Sequence, residues 1–165
     1  MKKSVLICLA ICIILLFVGC TKTVESDAEM LQVVIDELAV SKDVESQLIG
    51  LAEAEDAVLA CVMTGNGNQA HGYYAAEFKK EQSGYSFSSI NDLYDRGLDM
   101  RSYPWRDGYV FVSANEKCKK LSIEFPDGKS ELIEIDTLPF MYHLKNVEDG
   151  FEYFFLDEAG NPLSY

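Results

Sequence analysis

Imidazole, indole and positive charge are all scarce in this 165-residue chain, which has two His, one Trp and 14 basic side chains against 27 acidic ones. His71 and His143 sit in neither HxxxH nor HExxH, and no Cys–His–carboxylate set has metal-ligand spacing, so no metal or cofactor is expected. The common nucleophile signatures GxSxG, SxxK and CxxC are missing too. Without a DxDxDG loop, Asp92/Asp95 and Glu148/Asp149 read as solvated charges rather than calcium ligands. A formal net charge of −13 repels phosphate backbones, which argues against a nucleic-acid partner. The longest apolar run, Val5 to Val18, has 14 residues. A membrane-spanning helix wants about 20. At 48% hydrophobic, 12% aromatic and 25% charged, the composition is that of a folded protein, and the length suits one domain.

That apolar run opens what is distinctive. Lys2 and Lys3 precede it as a positive segment, and it ends at Phe17-Val18-Gly19-Cys20 before turning polar. The pattern fits a secretory signal and resembles the lipobox of bacterial lipoproteins. The resemblance implies a diacylglyceryl group on the Cys20 thiol, cleavage before Cys20 and acylation of the new terminus. Where that family prefers Leu three residues before the cysteine, this chain has Phe17. Two acyl chains hold a membrane firmly where one does not. The plainer alternative is an uncleaved N-terminal anchor with Cys20 incidental. Either way the rest of the chain is expected outside the cytoplasm, tethered to the cell membrane. The expected organisation is a signal peptide over 1–19, a lipidated cysteine with a polar tether over 20–26, and a single domain over 27–165. With residues 1–19 removed, 12 basic side chains face 27 acidic ones, a net charge of −15.

Cys8 and Cys12 leave with the signal, so Cys61 and Cys118 remain in the domain. An oxidising compartment permits a Cys61–Cys118 disulfide. Alternation argues the other way: Cys61 shares an inward face with Leu59 and Met63, whereas Cys118 shares parity with Lys120, Ser122 and Glu124 and is expected to point outward. Two free thiols are the blander alternative.

Within the domain, Ser26-Asp27-Ala28-Glu29 has the form of a capping box. Met30, Val33, Val34 and Leu38 follow at helical spacing, which predicts a helix over about Asp27–Ala39. Residues 44–64 fit either a helix or a hairpin with strands 47–53 and 57–64. Strand signals then recur at Tyr73–Lys79, Tyr85–Ser88 and Tyr109–Ser113. Ser89–Asp92 reads as the start of a helical turn ending near Gly97, and MRSYPWRDG as a loop. KKLSIEF-PDG-KSELIEID is the clearest hairpin, with Pro126 presetting φ and Gly128 taking the left-handed position. Phe140–Leu144 alternates, which turns His143 toward the surface, and Phe151–Leu156 closes the series. Short strands at this spacing point to an antiparallel meander. The expected fold class is α+β, with the N-terminal helix packed on that meander.

The order of these pieces, with AVLACVMT, HGYYAAEFKK, SGYSFSS, KLSIEFPDGKSELIEI and FEYFFLDEAGNPL, resembles a loose set of small lipoproteins and secreted proteins of Gram-positive bacteria. The resemblance covers most of the chain after residue 20 and favours the hairpin for residues 44–64. It implies fold and location rather than chemistry.

The most unusual composition is Arg101-Ser102-Tyr103-Pro104-Trp105-Arg106-Asp107-Gly108-Tyr109. It holds the single Trp with two Tyr and two Arg. Trp, Tyr and Arg dominate binding hot spots, and aromatic platforms suit sugar rings near a cell wall. Tyr103, Trp105, Arg101 and Arg106 are therefore the candidate binding residues. The alternative is that these aromatics fold back to cover a small core. Two functions remain: a non-enzymatic binding or sensing module for a protein or cell-wall ligand, or a wall-associated hydrolase using carboxylates.

Overall fold

The computed structural model describes residues 23–66, 71–93, 99–147 and 149–163. Cys20, the apolar leader, Asp95 and Glu148 lie outside them. Eleven strands and one helix follow in order: β1 Thr23–Val24, α1 Asp27–Glu37, β2 Ser46–Glu53, β3 Ala57–Thr64, β4 Gly72–Lys80, β5 Tyr85–Asp92, β6 Met100–Trp105, β7 Gly108–Ser113, β8 Lys120–Glu124, β9 Ser130–Glu134, β10 Phe140–Leu144 and β11 Glu152–Leu156.

These strands make three antiparallel sheets, ordered β1-β5-β4-β3-β2, β10-β7-β6 and β11-β8-β9. The α+β expectation of a helix on a single meander is therefore corrected. The described residues are mostly β, and the one helix among them has only 11 residues. The misreading has a local cause. MRSYPWRDG looked like a loop because of its Pro and its turn residues. Instead Met100–Trp105 is a strand paired to β7 from Met100↔Ser113 to Trp105↔Gly108. Pro104 is tolerated because β6 is an edge strand, where a missing N–H breaks no ladder. Ser89–Asp92 likewise extends β5 rather than starting a helical turn.

The side-chain parities stack the layers. On β3, Val58, Ala60 and Val62 meet Met30 and Val34 of α1 and Phe78 of β4. The alternate residues Ala57, Leu59 and Cys61 meet Trp105, Val110 and Val112 of the second sheet. Both faces of β3 are covered, so its sequence is apolar almost without a break. The second sheet is covered on both sides as well. Its Phe111, Met100 and Leu144 pack against Leu121, Ile123 and Phe155 of the third sheet. The order is helix, first sheet, second sheet, third sheet. Phe111 lies among Phe151, Tyr153 and Phe155 with ring centroids 4.9–6.5 Å away.

The helix starts as its sequence asks. Ser26 Oγ accepts the Glu29 N–H, while the Glu29 carboxylate reaches back to the Glu25 N–H at 2.7 Å. The segment expected as a free polar tether is partly structured: Thr23 and Val24 pair with Ser86 and Tyr85 of β5, and Val24 is 1% exposed.

Candidate functional site

Three chain reversals converge at one end of the first two sheets: the β2–β3 turn (Glu53–Asp56), the β6–β7 turn (Trp105–Asp107) and the end of β10 (His143–Asn146). They enclose a cleft of about 530 Å³. The turns are held firmly. Lys80 Nζ donates to the Ala54 carbonyl at 2.9 Å and pairs with Glu53 at 3.4 Å. The Val147 N–H donates to the Asp107 carbonyl at 3.1 Å. Gly108 allows the β6–β7 turn to press on β10, since a Cβ there would lie 2.1 Å from the Leu144 carbonyl oxygen.

Trp105 forms the floor. Its alternation with Arg101 and Tyr103 turns it toward the first sheet, where the indole Nε1–H donates to Glu77 Oε2 at 2.7 Å. The Arg106 guanidinium reaches the other Glu77 oxygen at 3.3 Å and Asp56 at 3.4 Å. It also lies 5.7 Å from the Trp105 ring centroid. His143 packs against the same indole with centroids 5.4 Å apart. Burial lowers the His143 pKa, nearby Lys145 lowers it further, and Asp107 opposes both. His143 Nε2 is buried, with no hydrogen-bond partner among the described residues.

Of the four candidate binding residues, Trp105 and Arg106 meet here and Tyr103 lies nearby. Burial and Glu77 both raise the Tyr103 pKa. Arg101 goes elsewhere: its Nε donates to the Leu93 carbonyl at 3.1 Å, and its guanidinium lies over the Tyr73 ring. The expected exposed aromatic platform is corrected, because Trp105 is 5% exposed and Arg101 7%. Trp105 belongs to the core between the first two sheets, and Arg101 is buried over Tyr73. His143 is half-buried rather than fully on the surface, because Met141 on the same face of β10 packs on the first sheet.

A second polar cluster lies at the far end of β6. Tyr73 Oη donates to Asp99 Oδ1 at 3.0 Å, and His71 Nδ1 lies 3.2 Å from the same oxygen. Burial and the Asp99 charge raise the Tyr73 pKa. Among the described residues no group of three or more His, Cys, Asp or Glu could hold a metal.

The suggested Cys61–Cys118 disulfide is absent, and both thiols are free and buried. They belong to different cores, Cys61 between the first two sheets and Cys118 between the last two. Cys118 is not outward-facing, because it precedes the first residue of β8 and escapes that strand's parity. Burial pushes the Cys61 thiol up to about 12.

Glu77 and His143 went unassigned in the sequence, although Glu77 left a signal. It shares parity with Tyr73 and Ala75, two wholly buried residues of β4. A carboxylate on such a face requires a buried donor.

No family model, curated protein or solved structure matches the chain. Among the described residues no helix is long and apolar enough to cross a membrane.

Proposed function

We propose that this protein is a lipid-anchored, extracytoplasmic binding module without catalytic activity, and that the Trp105–His143 cleft takes its ligand. One observation carries the reading: a floor of buried indole and half-buried imidazole, framed by charges of both signs on three short turns. Because the Trp105 face is already occupied, a sugar ring cannot stack flat on it. Recognition falls instead to the charges that line the cleft, Arg106 and Lys145 together with Glu55 and Asp107. Those charges suit a small ligand carrying both an ammonium and a carboxylate, as peptide fragments of a cell wall do. A carboxylate hydrolase is less well supported. Both oxygens of Glu77, the innermost carboxylate, are already engaged by donors, which leaves it unable to take a proton from water or give one to a leaving group.

The single Trp makes the test direct. Soluble peptide fragments of cell wall should shift Trp105 emission saturably and be recovered intact by mass spectrometry. Lys145→Ala and Asp107→Ala should each weaken binding about tenfold, the loss of one charge-assisted contact. An emission spectrum unmoved by every fragment would overturn the reading, and cleaved fragments would replace it with the hydrolase.

A further inference from the structure

The lipid-anchor reading has a geometric consequence at the other side of the first sheet. Thr23 and Val24 are not a loose leader: they are paired to Ser86 and Tyr85, and Val24 is buried. Gly84 closes beneath them, where an added Cβ would lie 2.4 Å from the Val24 carbonyl oxygen. Only Thr21 and Lys22 separate this fixed strand from Cys20.

Resting on that reading, we propose that the β1/β5 edge of the first sheet is the membrane-facing surface, held against lipid headgroups by the shortness of the connection. Three Cα–Cα steps span at most about 11 Å. A lipidated Cys20 therefore cannot lie farther than that from Thr23. The composition of the edge agrees. Beyond Ser86, the exposed residues Ser88, Ser89 and Asn91 present hydroxyls and an amide before the first acid, Asp92. So neutral a stretch stands out in a chain with 27 acidic side chains. Anionic headgroups would meet hydrogen-bonding groups there instead of like charge. The acids gather at the other end of the edge: Glu25 and Glu29 sit past Val24, toward Gly84, and Glu81 accepts from Ser86 Oγ at 2.7 Å.

The bound extends to Trp105, whose indole touches Glu77 of β4, two strands from β1. Two strand spacings, three residues along the strand, the Glu77 side chain with its hydrogen bond and the Cys20 reach place the indole within about 30 Å of Cys20 in any orientation. Energy transfer from tryptophan to a surface carrying many dansyl acceptors is measurable over that range.

The test uses the full-length lipidated protein in phosphatidylcholine vesicles carrying dansyl headgroups. The expected result is measurable transfer from Trp105. A 20-residue Gly/Ser insertion between Lys22 and Thr23, which adds about 25 Å of mean reach, should lower it at least twofold. In the same vesicles, a fluorophore on Ser89→Cys should be quenched by headgroup-linked nitroxide at least twice as strongly as one on Gln47→Cys. Gln47 is exposed on β2, the opposite edge of the same sheet, four strand spacings or about 19 Å from β1. Vesicle-bound protein with transfer unchanged by the insertion, or with equal quenching at the two positions, would overturn the membrane-facing edge while leaving the anchor intact. Protein that stays in solution would overturn the anchor and this inference together.

Discussion

His143 shows how one residue's surroundings set a pH dependence. Burial disfavours its imidazolium, and Lys145 adds repulsion that Asp107 only partly offsets. Its folded pKa lies below the ordinary value of about 6.5. The unfolded chain therefore binds this proton first as pH falls. The stability contributed by neutral His143 is complete above about pH 6.5 and is lost as pH drops through the lower folded value. Carboxylate titration adds its own slope, so the comparison with a non-titrating side chain is the informative one. Urea denaturation at pH 7 and pH 5 should show wild type losing more stability than His143→Gln over that interval. Equal losses would mean that the imidazole exchanges its proton without regard to the fold. Trp105 beside it is held by different forces, a buried ring and one hydrogen bond to a carboxylate. That is why the residue with the strongest binding signature in the sequence became core.

At the scale of elements, the β6–β7 hairpin decides the architecture. Gly108 is its tightest point, because a methyl there meets backbone rather than a side chain that could move away. Gly108→Ala should cost about 2–3 kcal/mol by forcing β7 and β10 apart. Gly128→Ala in the β8–β9 turn is the contrast: no atom lies within 4 Å, but φ is +84°, so only the left-handed backbone penalty of about 1 kcal/mol applies. Urea midpoints of the two variants check the difference, and equal shifts would dismiss the close approach at Gly108. The same hairpin marks where the sequence became hard to read. Alternation in LSIEF revealed β8, since one face is solvated and polar residues mark it; β9 followed as the return strand of the Pro126–Gly128 turn, although Leu132 lies on its solvated face. The Ser26–Glu29 box revealed the start of α1. β6 hid because Pro104 and two Arg resemble loop chemistry, and Arg101 is buried in spite of its charge. The partition into three sheets was not legible either. Which face a strand buries depends on partners far away in the chain, and alternation does not name them. For the same reason no local pattern announced that Trp105, Glu77 and His143, on β6, β4 and β10, would meet.

For the whole molecule, the second sheet lies between the other two and covers the inner face of the first, which sets an order on synthesis. All strands of the first sheet are complete by residue 92, but β6, β7 and β10, which cover its inner face, are finished only at residue 144. During synthesis, Leu59, Cys61, Tyr73 and Ala75 must therefore wait about fifty residues for their cover. If Cys20 is acylated, they wait beside a bilayer. An isolated 23–93 fragment should accordingly bind a hydrophobic dye or aggregate, while the complete chain does neither; a soluble, dye-silent fragment would show that the first sheet closes by itself. The layered packing that protects the finished domain thus makes its nascent half a natural client for a chaperone.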